Sequence, residues 1–237
     1  MELREARVGR SGRTLRLLTI GLAIATTGVG ARSADYASVR VSLTISADLP
    51  AAARRSLLQE AESIWRDAGV HISWVDENEA DASPRTLRVV VDGRPGPSGH
   101  GGNWVVGELR RFDDGAAVAS VSISRAEVIV QAAGTGAAYG SPDSVVQHRL
   151  GVVLGRAVAH EIGHYLRESG AHTGHGLMRA SFQPREFTDL RSGAFEVDDT
   201  SRRLIHQRLR AAARADAPLL LGRSAFALRA TADKSSF

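Results

Sequence analysis

The sequence predicts an α+β fold, α/β layered, in which a mixed, twisted sheet packs against two helices, one of them long, with a small C-terminal subdomain beyond. Three observations carry this expectation. Val39 to Ile45 reads Val-Arg-Val-Ser-Leu-Thr-Ile, the period-two alternation of a strand with one buried face. From Pro50 to Gly69 the apolar side chains recur every three to four residues, which fits an amphipathic helix instead. Short β-prone runs follow at His71 to Val75 and Leu87 to Asp92, and the order strand, helix, strand, strand suits one helix lying on a mixed sheet.

Each element has a local reason. Pro50 opens the first helix, Gly69 closes it, and Leu57, Leu58, Ala61, Ile64, Trp65 and Ala68 form its apolar face. Asp92 to Asn103 holds too much Gly and Pro for regular structure and reads as an exposed loop. Trp104 to Phe112 and Ala117 to Ser124 are strand candidates joined by Asp113-Asp114-Gly115; turn chemistry explains that acidic pair better than calcium binding does. Ser141-Pro142-Asp143 reads as cap, first helical residue and first-turn acid of a long helix reaching about Ser169. Gly151, Gly155, Ala159 and Gly163 recur every fourth residue along that helix and would let it approach the sheet closely. Asp198-Asp199-Thr200 caps a last helix, Ser201 to Ala213, whose buried side carries Ile205, Leu209 and Ala212, flanked by Leu204.

The first 31 residues read as an address. Arg4, Arg7, Arg10, Arg13 and Arg16 precede an apolar stretch from Leu17 that ends in Val29-Gly30-Ala31, a small-residue cleavage pattern. A retained anchor is the alternative, but the stretch is short and diluted by Thr and Gly. Residues 1–31 are therefore expected to be a signal peptide, 32–215 one domain and 216–237 a flexible tail, and the protein to be secreted or periplasmic with no stable membrane association after cleavage. The leader holds five arginines against two glutamates, so the formal charge of +4 falls to +1 without it. With no Lys/Arg-rich block interleaved with aromatics beyond the leader, a nucleic-acid partner is not expected. There are no cysteines, so any metal must be held by histidine and carboxylate.

The chemistry concentrates at His160-Glu161-Ile162-Gly163-His164. Histidines four apart on a helix share a face, so both imidazoles reach one ion, while Glu161 falls beside that ion, where a general base takes a proton from zinc-activated water. Val152, Val153, Leu154, Ala157 and Val158 lead into the motif, as suits a buried active-site helix. A catalytic zinc site takes a third protein ligand. His172, just past Gly170, is favoured because Gly170 can end the helix in a left-handed turn; His175, Glu186 and Glu196 are the alternatives. His148 lies about 120° round the helix from His160 and faces elsewhere; His71, His100 and His206 are unassigned. The expected function is an exported zinc-dependent metallopeptidase acting on a peptide or protein substrate, with Zn²⁺ as cofactor. The competing class is a secreted metal-binding module without turnover, against which the intact Glu161 argues.

The stretch HEIGHYLRESGAHTGHGLM resembles the active-site segment of metzincin-type zinc peptidases, HExxHxxGxxH followed by a methionine-bearing turn. The resemblance implies His160, His164 and His172 as ligands, Glu161 as base, Met178 as the Met-turn residue, and a zincin-like domain whose N-terminal half has this order of elements. The family places Gly three residues after the second histidine; here Arg167 stands there, with the glycine and third histidine displaced to Gly170 and His172. A gluzincin-like arrangement, with a downstream glutamate as ligand, is the variant that this displacement leaves open.

Overall fold

The computed structural model describes residues 37–46, 48–76, 86–94, 106–136 and 140–216. The leader, His100, Trp104, most of the Asp92 to Asn103 loop and the tail beyond Asp216 lie outside the described residues. Five strands form one sheet: β1 Ala37–Ile45, β2 Val70–Val75, β3 Leu87–Asp92, β4 Gly107–Arg111 and β5 Ala117–Ser122. Their order is β2-β1-β3-β5-β4; all neighbours run parallel except β4, which pairs antiparallel with β5. The protein is thus α+β, with a mixed sheet and helices around it. The hairpin β4–β5 turns where Asp114 Oδ1 accepts from Ala116 N at 2.9 Å and Gly115 adopts φ +87°, the role expected of Asp-Asp-Gly. It leaves β5 inside the sheet and β4 on its edge.

Helix α1 spans Ala51–Asp67, with Pro50 at its N-cap and Gly69, at φ +77°, just past its end. Helix α2, Ile123–Ala132, follows β5 without a loop: Ser122 closes the strand and caps the helix, its Oγ accepting from Arg125 N. The strand expected to reach Ser124 is therefore two residues shorter. A helix was legible there, since Ala126, Ile129 and Val130 are buried at helical spacing behind a serine cap.

Helix α3, Asp143–Arg167, is buried on all sides from Leu150 to Ala159. Its N-cap is Pro142 rather than Ser141, with no side-chain cap. Its left-handed terminal residue is Glu168, at φ +47°, and not Gly170, so the chain turns back toward the helix two residues sooner than expected.

The small-residue stripe on α3 faces α1 rather than the sheet. A Cβ at Gly151 would run into the carbonyl oxygen of Ala53, and one at Gly155 would lie 2.6 Å from that of Leu57. Between them and Gly163, Ala159 offers its carbonyl to the buried indole Nε1 of Trp65 at 3.2 Å. The obstacle at Gly155 is backbone, which cannot swing aside. Gly155→Ala is accordingly expected to destabilise the fold by about 3 kcal/mol, read as a lower denaturant midpoint.

Beyond α3 the chain forms a turn around Met178, a short helix α4 at Pro184–Thr188, one 3₁₀ turn at Gly193–Phe195 and helix α5, Asp199–Asp216. Asp198 Oδ1 caps α5 through Thr200 N and Ser201 N, as expected from the acidic pair. Met178, Phe182, Phe187, Phe195 and Ile205 join the same hydrophobic core as the sheet and α1, so among the described residues the expected C-terminal subdomain has no separate core. Among the described residues no helix is long and apolar enough to cross a membrane.

Candidate metal centre

His160 and His164 project from one face of α3, and their Nε2 atoms lie 3.0 Å apart. Each ring is held by its other nitrogen. His160 Nδ1 donates to the carbonyl of Leu177 at 2.7 Å, and His164 Nδ1 donates to that of Ser169 at 2.8 Å. A carbonyl only accepts, so these bonds put the proton on Nδ1 and leave a lone pair on each Nε2 in the neutral ring. Two lone pairs aimed together at that distance repel unless a cation lies between them. The third ring, His172, comes from the loop after α3, with centroids 5.4 Å from His160 and 4.9 Å from His164. One nitrogen from each of the three histidines falls within 4.8 Å of the others, and these three residues are the group able to hold a metal ion among the described residues.

The alternative ligands are engaged elsewhere. Glu186 accepts from Arg179 and from Gln183 N, both at 2.7 Å, closing the capping box of α4. Glu196 lies outside the group, its carboxylate over Gly193, where an added Cβ would come 3.0 Å from Oε1. His175 is exposed in the turn, outside the group, where its carbonyl accepts from Thr173 Oγ1. His148 and His206 do structural work: Nδ1 of the first meets Ser56 Oγ at 2.9 Å, and Nε2 of the second donates to Ala68 O at 2.8 Å.

Met178 lies fully buried, its thioether filling the space against Gly163, so that a side chain at that glycine would have to displace it. Thr173 N donates to Met178 O at 2.8 Å and closes the turn; Gly176, at φ +70°, lets the backbone pass close to Glu196 O. The same turn presents Leu177 O to His160, so methionine and ligand anchor are set by one loop.

Electrostatics prepare the site for a cation. Burial, with the neighbouring His164 next in effect, pushes the His160 imidazole down to about 3; burial also lowers His164 and His172. The rings are neutral at physiological pH, so a metal need displace no proton from them. Glu161, only 4% exposed, is pushed up to about 8, by burial first and then by the charge of Glu108 on β4.

These shifts fix a pH dependence for the protein stripped of metal. Glu161 holds its proton more tightly folded than unfolded, so its contribution is lost as pH rises from about 4.5 through 8. His160 is depressed, so its contribution is lost as pH falls from 6.5 through about 3. Between those ordinary values Glu161 is opposed by His160 and by the likewise lowered His164 and His172, so the histidines prevail and stability rises with pH up to about 6.5. Denaturation in chelator is expected to show greatest stability near pH 6.5, falling toward pH 8 with a slope of up to about 1.4 kcal/mol per unit; Glu161→Gln should flatten the alkaline side.

A cleft of about 310 Å³ opens over the histidines, bordered by β4 on one side and by Ala157, Phe182, Phe187 and Phe195 on the other. The three phenylalanines pack on one another, with Phe182 and Phe195 stacked at 4.4 Å, and the guanidinium of Arg156 lies 4.5 Å from the Phe195 ring centroid. Arg156 is buried and neutralised by Glu60 at 2.7 Å. Sequence reasoning singled out none of these phenylalanines, although three of the chain's six fall between residues 182 and 195. The carbonyls of Leu177 and Ser169 leave no sequence signal, because every residue has one.

No protein-family model matches the chain, and no curated protein matches it. One solved structure, described as the GM1 bound form of the ECX AB5 holotoxin, aligns with 73% of this chain and 78% of its own at 14% identity and a TM-score of 0.34, too slight a likeness to carry an argument.

Proposed function

We propose that this chain is an exported, zinc-dependent metallopeptidase of metzincin-like type. The observation that carries the reading is the convergence of two Nε2 lone pairs and a third imidazole beside a buried, proton-avid glutamate. An all-imidazole donor set without thiolate or oxygen suits zinc among the available dications. His160, His164 and His172 would hold the ion, with Leu177 O and Ser169 O orienting two of them from behind. Zinc bound there would polarise a carbonyl as a Lewis acid and bring the pKa of water toward neutrality.

The chain's own groups supply the rest. Glu161 takes the proton of the attacking water and returns it to the leaving amine; burial and Glu108 raise its hold on that proton, and a cation bound alongside would favour the carboxylate that accepts it. The attack breaks the C–N bond, and the new carboxylate keeps the water's oxygen. Strand β4 is the outer one on its side of the sheet, and an extended peptide would add to it. The phenylalanine wall opposite would take an apolar side chain of the substrate. Met178 under Gly163 and the ligand-anchoring turn support the metzincin-like assignment, and residues 1–31 support export.

The test is cleavage of a mixed peptide library by the purified protein with and without a chelator, with zinc added back. Cleavage that stops on chelation and returns with zinc is the expected result. Metal binding without any cleavage would favour the binding module instead.

A further inference from the structure

We propose that Gly107, the first residue of β4, is a positioning residue that seats the Glu161 carboxylate, which rests on its bare Cα. A Cβ built at Gly107 would lie 2.7 Å from Glu161 Oε1, 3.0 Å from its Cγ and 3.1 Å from its Cδ. All three nearest atoms belong to that one side chain. Gly107 has no left-handed backbone angle to explain its identity, unlike Gly69 or Gly176, so close approach is the reason it is glycine.

The strand cannot retreat to admit a larger residue. Gly107 pairs with Val121 in register, and Ser122 N donates to Val106 O at 2.9 Å one residue earlier. At the other end of β4, Arg111 reaches across to the last turn of α3 and donates to the carbonyls of His164 and Tyr165 at 3.1 and 2.8 Å. The edge strand is thereby bolted to the same helix that carries the histidines and the glutamate. An added methyl group must displace the flexible end of Glu161, and that displacement costs the fold little while moving the base from its station.

The catalytic half of the proposal rests on the peptidase reading; the seat itself does not, and the two are tested separately. In the first arm, thermal melts of the full chain in chelator compare Gly107→Ala in the wild-type and Glu161→Ala backgrounds. A drop of about 3 °C in the wild-type background, absent once Glu161 is truncated, is expected; equal shifts in both backgrounds would overturn the seat. In the second arm, Gly107→Ala should retain its zinc and KM and lose kcat by about 100-fold. Glu161→Asp, which withdraws the carboxylate by one methylene, should cost much less in the Gly107→Ala protein than in wild type. Coupled melts with unchanged kcat would show a seat that does not position the base, and would overturn the proposal. Should the wild type cleave nothing, the peptidase reading fails while the first arm still decides whether the seat exists.

Discussion

Glu161→Gln is expected to retain the metal and lose peptide hydrolysis by about 10²–10⁴-fold, the range that general-base catalysis supplies. Glutamine keeps the shape of the side chain, and with it the contact at Gly107, but has no basic oxygen at neutral pH. It is not a ligand in this arrangement, since the converging nitrogens are those of His160, His164 and His172, so metal content should match wild type. The substitution also removes a carboxylate whose charged form is disfavoured by burial, so in chelator the variant should be the more stable protein at pH 8. The combination is diagnostic: full metal content, greater stability without metal, and lost turnover. Activity within a few-fold of wild type would exclude Glu161 as the base.

His172→Ala is expected to release the metal, and Glu186→Ala to keep it. Truncating a ligand should weaken affinity by more than the roughly 10–100-fold that follows loss of an outer-shell partner. Glu186 instead lies under the guanidinium of Arg179 and caps α4 through Gln183 N; the Arg179 hydrogen bond holds its carboxyl below the usual range. Removing it should loosen α4 and leave the ion in place. His160→Ala and His164→Ala should empty the site as well, and each also cuts a tether, to Leu177 O or Ser169 O. Metal analysis after dialysis reads all four variants. Metal lost from Glu186→Ala and retained by His172→Ala would replace the three-histidine site with a downstream glutamate ligand.

Much of this was legible in the sequence because it is local. An alternating Val39 to Ile45, a helix bracketed by Pro50 and Gly69, and an Asp-Asp-Gly turn depend on neighbours within a few residues, and each lies close to where the pattern puts it. The pairing of His160 with His164 follows from 3.6 residues per turn and needs no tertiary knowledge. Helix α2 is equally local: Ser122 is a good cap and Ala126, Ile129 and Val130 follow at helical spacing, but the alternating pattern of Ala117 to Ser124 runs two residues past that cap and masks it. At the end of α3 local chemistry misled. Gly170 is the obvious left-handed residue, yet Glu168 takes that conformation, since Ser169 O must come back to His164 Nδ1.

Helical periodicity is a property of a single segment, and it alone places the two histidines on one face with the carboxylate beside them. What surrounds them is set by long-range packing. It brought His172 rather than Glu186 or Glu196 to the pair, laid the small-residue stripe on α1 instead of the sheet, put Met178 under Gly163 and set Gly107 against Glu161. Those contacts join residues that are distant in the chain, or that lie beyond the end of the helix. No periodicity spans such separations; the packing of side chains into a single core fixes them.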